Sequence, residues 1–261
     1  LDLMHFPHFN VPYMYRGKFV VTIHDLILTH FPTERATTLG PLLYKIKHLG
    51  YTLTIRHAVA RSQKFITVSK HSKQDMVDEF YVPEDKIVVT YEAVDAQEED
   101  RNVFSEFLCS KYYIQDPYLL AVGNAYPHKN LEILLHVAVE MKKDPASKMK
   151  VALVGKEDYF FRRLKQLAWA KNVDDRVIFL GFVPDAYLPY LYQRAFAYVF
   201  PSFYEGFGLP GLEAMCYGTP VLSSRASCLP EIFGKAALYF DSKDIYGIIK
   251  SVQVLQNNDT R

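Results

Sequence analysis

From Pro117 to Phe240 the chain alternates short apolar runs with runs of helical period, and this alternation limits the available folds more than any other feature. PYLLAVGN reads as a strand, PHKN as a turn, and LEILLHVAVEMKK as a helix with Leu131, Leu134, Leu135 and Val139 on one face. MKVALVG, DRVIFLGFV, AYVFP, TPVLSS and AALYF read as further strands. FFRRLKQLAWAK, DAYLPYLYQRA, GLEAM and LPEIFG read as the helical runs between them. Strands separated by helices pair in parallel, so the expected class is α/β. The first third repeats the pattern more sparsely. FVVTIHD is a buried β-branched run that ends in two polar residues, KFITVSKHSKQDM is strand, turn and helix, and VPEDKIVVTYEAVD supplies a last strand. Between the halves the chain is charged at first (QEEDR), less regular, and closes at Asp116-Pro117. The expected organisation is a domain over 1–97, a linker over 98–116 and a second domain over 117–261.

Composition narrows the function. With 261 residues, 49% of them apolar, the chain can bury one large or two medium cores. A net charge of +1 gives no general bias towards nucleic acid. Cys109, Cys216 and Cys228 are an odd number without CxxC or metal spacing, which reads as reduced thiols in a cytoplasmic protein. No apolar run reaches membrane-spanning length, and no secretory leader is expected. No GxGxxG follows a strand, which argues against a nicotinamide dehydrogenase.

Chemistry concentrates in PSFYEGFGLPGLE, Pro201 to Glu213. A strand runs into a glycine-rich turn, and a helix follows. Glycines admit close approach of backbone to a ligand, and a helix start offers unpaired N–H groups to a phosphate. Glu205 and Glu213 flank the turn, and carboxylates accept hydrogen bonds from sugar hydroxyls. This Glu-x7-Glu stretch, followed by GTPVLSS and LPEI, resembles the donor-site signature of retaining GT-B glycosyltransferases of the group 1, GT4-like family. The likeness runs from about Pro7 to Asp241.

The resemblance implies two Rossmann-like parallel-sheet domains facing a cleft, with the N-terminal one incomplete and a closing helical segment beyond the last residue. It implies that His24 faces the donor sugar and, with Glu205, is catalytic. Lys129, in the turn Gly123 to Asn130, matches the lysine that holds the donor diphosphate. Many members carry arginine where this chain has Asn124 and His128, so the clamp would consist of Lys129, backbone at Gly123 and His128. Backbone around Phe182 and Val183 would read the base. Backbone of Phe207, Gly208 and Leu209 would approach the sugar and phosphates, and Glu213 would accept from the ribose. Asp25 and Ser69 are candidates for acceptor or phosphate contact, although Ser69 also suits a helix N-cap. Glu231, Ser223 and Ser224 are read as structural or as supporting the contact residues from behind.

The stretch 41–73 holds seven lysines and arginines, no acid occurs between Glu34 and Asp75, and apolar residues recur at helical spacing. It reads either as a helix on the N-terminal sheet with a solvated basic face or as a peripheral contact with an anionic membrane. The implied reaction is retaining transfer of mannose or a similar hexose from a nucleotide diphosphate sugar, GDP-mannose before UDP-sugars, to a glycan or lipid-linked glycan. It needs no metal and no cofactor. The alternatives are a donor-binding subunit without turnover, or another GT-B enzyme such as a sugar-nucleotide epimerase.

Overall fold

The computed structural model describes residues 2–31, 41–95, 114 and 117–257. Strands β1 (Met4–Phe6), β2 (Phe19–Ile23), β3 (Lys64–Thr67) and β4 (Ile87–Val89) form one parallel sheet in that order. The helices of this part are α1 (Ile27–His30), α2 (Pro41–Arg61) and α3 (Lys70–Phe80). Val21, Ile23, Leu26, Ile55, Ala58, Phe65 and Met76 form its core. Ser69 is the N-cap of α3 and its hydroxyl accepts from the Ser72 amide, as the VSKHS pattern suggests.

Chain order continues with β5 (Tyr118–Val122), α4 (Glu132–Lys142), β6 (Lys150–Val154), α5 (Tyr159–Ala170), β7 (Val177–Gly181), α6 (Leu188–Arg194) and β8 (Ala197–Phe200). It ends with α7 (Leu209–Cys216), β9 (Val221–Ser224), α8 (Leu229–Phe233), β10 (Ala237–Phe240) and α9 (Ile245–Asn257). The six strands are parallel in the order β10-β9-β8-β5-β6-β7. Counted from β5 this is the 3-2-1-4-5-6 order of doubly wound nucleotide-binding sheets, with its reversal between β5 and β8. Leu119, Leu134, Leu135, Val151, Leu153, Phe161 and Val199 lie in one core beneath it. The sequence reading omitted β1 and α9. The α9 signal was present: Ile248 and Val252 are buried one turn apart, with Ile245 and Ile249 beside them.

The chain divides into two compact units. One is Leu1–Ala93 with Tyr204–Gly208 and Ser227–Ile232, and the other is Val94–Phe203, Leu209–Ala226 and Phe233–Arg261. The expected linker, Ile114 apart, lies outside the described residues.

Helix α2 differs from an ordinary amphipathic helix. Ile55 and Ala58 are buried, and Tyr51 and Val59 pack beside them on the first core. Leu42, Ile46, Leu49 and Leu53, spaced by four, three and four residues, are between 53% and 72% exposed. That spacing puts them in one stripe on the side away from the buried residues. The helix is therefore apolar on two sides, and exposed Lys45 and Arg56 flank the outer stripe.

Candidate active site

The candidate residues fall into two sets, each inside one unit. In the six-stranded unit the first set gathers at the carboxyl ends of β5 and β8, where doubly wound sheets bind ligands. Gly123 follows β5 with φ +143°, a conformation that favours glycine. Its carbonyl lies against Gly155, where a Cβ would collide with it. The next turn is 3-10 from Pro127 to Lys129 and ends at Asn130 in the left-handed region. Asn130 fixes this turn by donating from Nδ2 to the carbonyls of Pro201 (3.0 Å) and Ser242 (2.7 Å). The Phe203 amide donates to the His128 carbonyl at 2.7 Å. Lys129 Nζ lies 5.7 Å from the centre of the Phe200 ring at the end of β8. Burial and the adjacent Lys129 charge lower the His128 pKa to about 4. His128 is therefore neutral at neutral pH, and of these two side chains only Lys129 carries charge.

Glu213 lies within α7, as its place in GLEAM implied, and its Oε2 accepts from the Tyr192 hydroxyl at 2.8 Å. Tyr192 is buried on α6, and burial, with the nearby Tyr198 and Glu213, raises its pKa. The bond sets the carboxylate's direction, and Tyr192 was not singled out in the sequence because it resembles any core aromatic. Past β7, Phe182 is exposed and Val183 is buried, so the two side chains of the proposed base-reading stretch part company. Leu209 opens α7 directly after Gly208, which has φ +110°.

The other unit brings His24, Asp25, Ser69, Glu205, Phe207 and Gly208 together. His24 follows β2, its Nδ1 3.1 Å from Glu92 Oε1 and its Nε2 3.0 Å from the Pro7 carbonyl. Asp25 accepts from the Ile27 amide at 2.9 Å, in the turn that leads into α1. Gly206 rests on this strand end: a Cβ there would stand 2.5 Å from the His24 carbonyl and 2.9 Å from Asp25 Cβ. Ser69 is fully buried and donates to the Gly206 carbonyl at 2.9 Å. Its hydroxyl is occupied inside the fold, as the N-cap reading foresaw. Glu205 is buried, and its amide donates to Ser227 Oγ at 2.8 Å. The Cys228 thiol donates to the carbonyls of Glu205 (3.2 Å) and Phe207 (3.3 Å). Burial, with Glu205 nearby, pushes that thiol up to about 12.

Glu231 is engaged within the fold. It accepts from the amides of Lys70 (2.8 Å) and His71 (3.1 Å), which covers the start of α3, and from the Tyr91 hydroxyl at 2.9 Å. Ser223 and Ser224 are buried, and Ser224 donates to the Ser202 carbonyl at 2.7 Å. Glu92, the partner of His24, was missed because nothing local in YEAVD signals it. Among the described residues no group of three or more His, Cys, Asp or Glu side chains could hold a metal ion.

Two sheets of parallel strands, one of them doubly wound, give the chain the GT-B fold. Residues 111–261 match the model of the glycosyl transferases group 1, and residues 1–98 that of glycosyltransferase family 4. The chain belongs to the group 1, GT4-like glycosyltransferases. It is 33% identical over 259 residues to the O-antigen chain mannosyltransferase B of Escherichia coli, covering 98% of this chain and 65% of that protein. It is 30% identical to the O-antigen chain mannosyltransferase RfbU of Salmonella typhimurium, covering 97% of this chain and 65% of that protein. The chain thus spans 65% of the length of these relatives. Sucrose-phosphate synthase from Thermosynechococcus elongatus superposes with a TM-score of 0.76 at 19% identity, over 98% of this chain and 65% of that one. The HepE protein of Anabaena, solved with UDP and glucose, superposes with a TM-score of 0.73 at 18% identity, over 93% of this chain and 63% of that one.

Proposed function

We propose that the chain transfers mannose, or a closely similar hexose, from GDP-mannose to a hydroxyl of a glycan or lipid-linked glycan. The anomeric configuration is retained, and no metal is required. The observation that carries this reading is the 33% identity to a mannosyltransferase over 98% of the chain. The geometry supports it. Lys129 stands at the strand-order reversal, where a diphosphate would meet a point charge and the backbone of the Gly123 turn. Departure of the nucleotide develops negative charge, which a fixed cation stabilises. Glu205 then contacts the sugar, Glu213 the ribose, and His24 the donor sugar from its own strand end. The remaining work is positioning. Calorimetric titration with GDP, UDP, GDP-mannose and UDP-glucose, each with and without EDTA, tests the donor. GDP compounds should bind in EDTA, and Lys129→Ala should abolish the binding. Selective binding of UDP compounds overturns the donor assignment, and binding lost in EDTA overturns metal independence. The anomeric coupling of the product, read by NMR, decides retention.

The acceptor side of the proposal includes a peripheral contact with an anionic bilayer through α2. No helix among the described residues is long and apolar enough to cross a membrane. The outer Leu42-Ile46-Leu49-Leu53 stripe flanked by Lys45 and Arg56 has the chemistry of a helix lying in a lipid interface. The full-length protein should co-sediment with vesicles rich in phosphatidylglycerol and not with phosphatidylcholine alone. Leu49→Glu with Leu53→Glu should release it. Equal partition of wild type and variant counts against the contact.

A further inference from the structure

Tyr204 immediately precedes Glu205 and reads in the sequence as one more aromatic of a tyrosine-rich chain. It is 6% exposed, and a phenol buried to that extent needs partners for its oxygen. The hydroxyl donates to Asp75 Oδ2 on α3. Asp75 is itself only 9% exposed, and a carboxylate held there needs donors in turn. His30 Nε2 is 3.3 Å from the same Oδ2, while His71 Nε2, 3.7 Å away and buried, makes no hydrogen bond. The rings of His30 (4.9 Å), His71 (5.4 Å) and Phe31 (6.0 Å) pack around that of Tyr204. Tyr204 is therefore fixed in position by its ring and its oxygen, on residues of α1 and α3.

Two residues on, Gly206 lies against the His24 carbonyl without room for a Cβ and accepts from Ser69 Oγ. Glu205 stands between these two anchors. We propose that Tyr204 and Asp75 are positioning residues for sugar transfer: their hydrogen bond seats the Glu205 backbone on the strand end that carries His24. The proposal rests on the reading of Glu205 as the carboxylate that contacts the donor sugar. It goes further in naming what holds that carboxylate in place, and it explains why a buried aspartate with two neighbouring histidines sits in α3, remote in sequence from the glycine turn. A shift of about 1 Å at such a group can cost about a hundredfold in rate while leaving remote binding groups untouched. Lys129 and Glu213 belong to the other unit, so nucleotide affinity serves as the internal control.

The test uses the full-length protein with two readouts. One is the affinity for free GDP, or for UDP if the titration above selects it. The other is the kcat and KM of nucleotide release from the corresponding nucleotide hexose. Tyr204→Phe keeps the ring and removes the oxygen, and Asp75→Ala removes the acceptor. Both should lower kcat about tenfold or more and leave free-nucleotide affinity within about twofold. Asp75→Asn keeps an oxygen for the Tyr204 hydroxyl and should lose less than Asp75→Ala. The double variant Tyr204→Phe, Asp75→Ala should be no slower than the slower single, because both break one bond. The circular dichroism melt of each variant accompanies the kinetics, and Asp75→Asn carries the test if either larger change fails to fold. Rates within twofold of wild type in Tyr204→Phe and Asp75→Ala, with Glu205→Gln impaired, overturn the proposal. Losses that multiply in the double variant also overturn it. An unimpaired Glu205→Gln overturns instead the underlying reading of Glu205.

Discussion

Glu205 and Glu213, with seven residues between them in one motif, have different company. Glu205 is buried among residues of the four-stranded unit, with its backbone held by Ser227, Cys228 and the Gly206 seat on His24. Glu213 lies in a helix of the six-stranded unit, its carboxylate aimed by the Tyr192 hydroxyl. Gly206 and Gly208 make the difference. One admits the close approach to His24, and the other turns the chain at φ +110° into α7. The spacing of a motif sets the path length along the chain, and the glycines between decide which core each end joins. The first carboxylate is thereby placed with the candidate transfer groups and the second with the candidate nucleotide groups.

The largest expected effect tests this division directly. Glu205→Gln should lower kcat about a hundredfold and leave nucleotide affinity within about twofold, as loss of a group that acts in the transition state would. Glu213→Gln should do the reverse: nucleotide affinity falls about tenfold, the equivalent of one charge-assisted hydrogen bond, while kcat at saturating donor changes little. Steady-state kinetics with parallel titration separates the two. Equal effects of both variants on affinity and rate would break the comparison.

A smaller effect sharpens the account of the nucleotide side. The folded His128 value of about 4 lies below the 6.5 of an unperturbed imidazole. Between these values the unfolded chain binds the extra proton, so the contribution of His128 to stability is complete above about pH 6.5 and is lost as pH falls towards 4. Wild type should lose about 2 kcal/mol more than His128→Asn between pH 7 and pH 4.5 in urea unfolding. Parallel curves would mean that His128 is solvated and protonated at its turn.

Much of this was readable in advance, and the failures have physical causes. The six-stranded unit announced itself because its elements are long, regular and separated by recognisable turns, and Lys129 and Glu213 were placed on the elements expected. Strand β1 was missed because MHF is three residues long. Helix α2 was read as a basic amphipathic face, yet its apolar residues occupy two sides, a pattern that a list of helical spacings does not distinguish from one. Ser69 was left open between capping and ligand contact, and its complete burial shows the hydroxyl used within the fold.

By itself the sequence determined what is local. Period two and period 3.6 marked the elements, turn residues marked their ends, and the glycine-rich stretch with its two glutamates marked the candidate site. Only the tertiary structure decided the contacts that join distant stretches: Asp75 with Tyr204, Glu92 with His24, and Tyr204–Gly208 with the four-stranded unit. Parallel strands pair across long crossovers, and a buried hydroxyl bonds whatever acceptor packing brings to it. Neither choice is written in the neighbouring residues, because each is set by the way the two cores close.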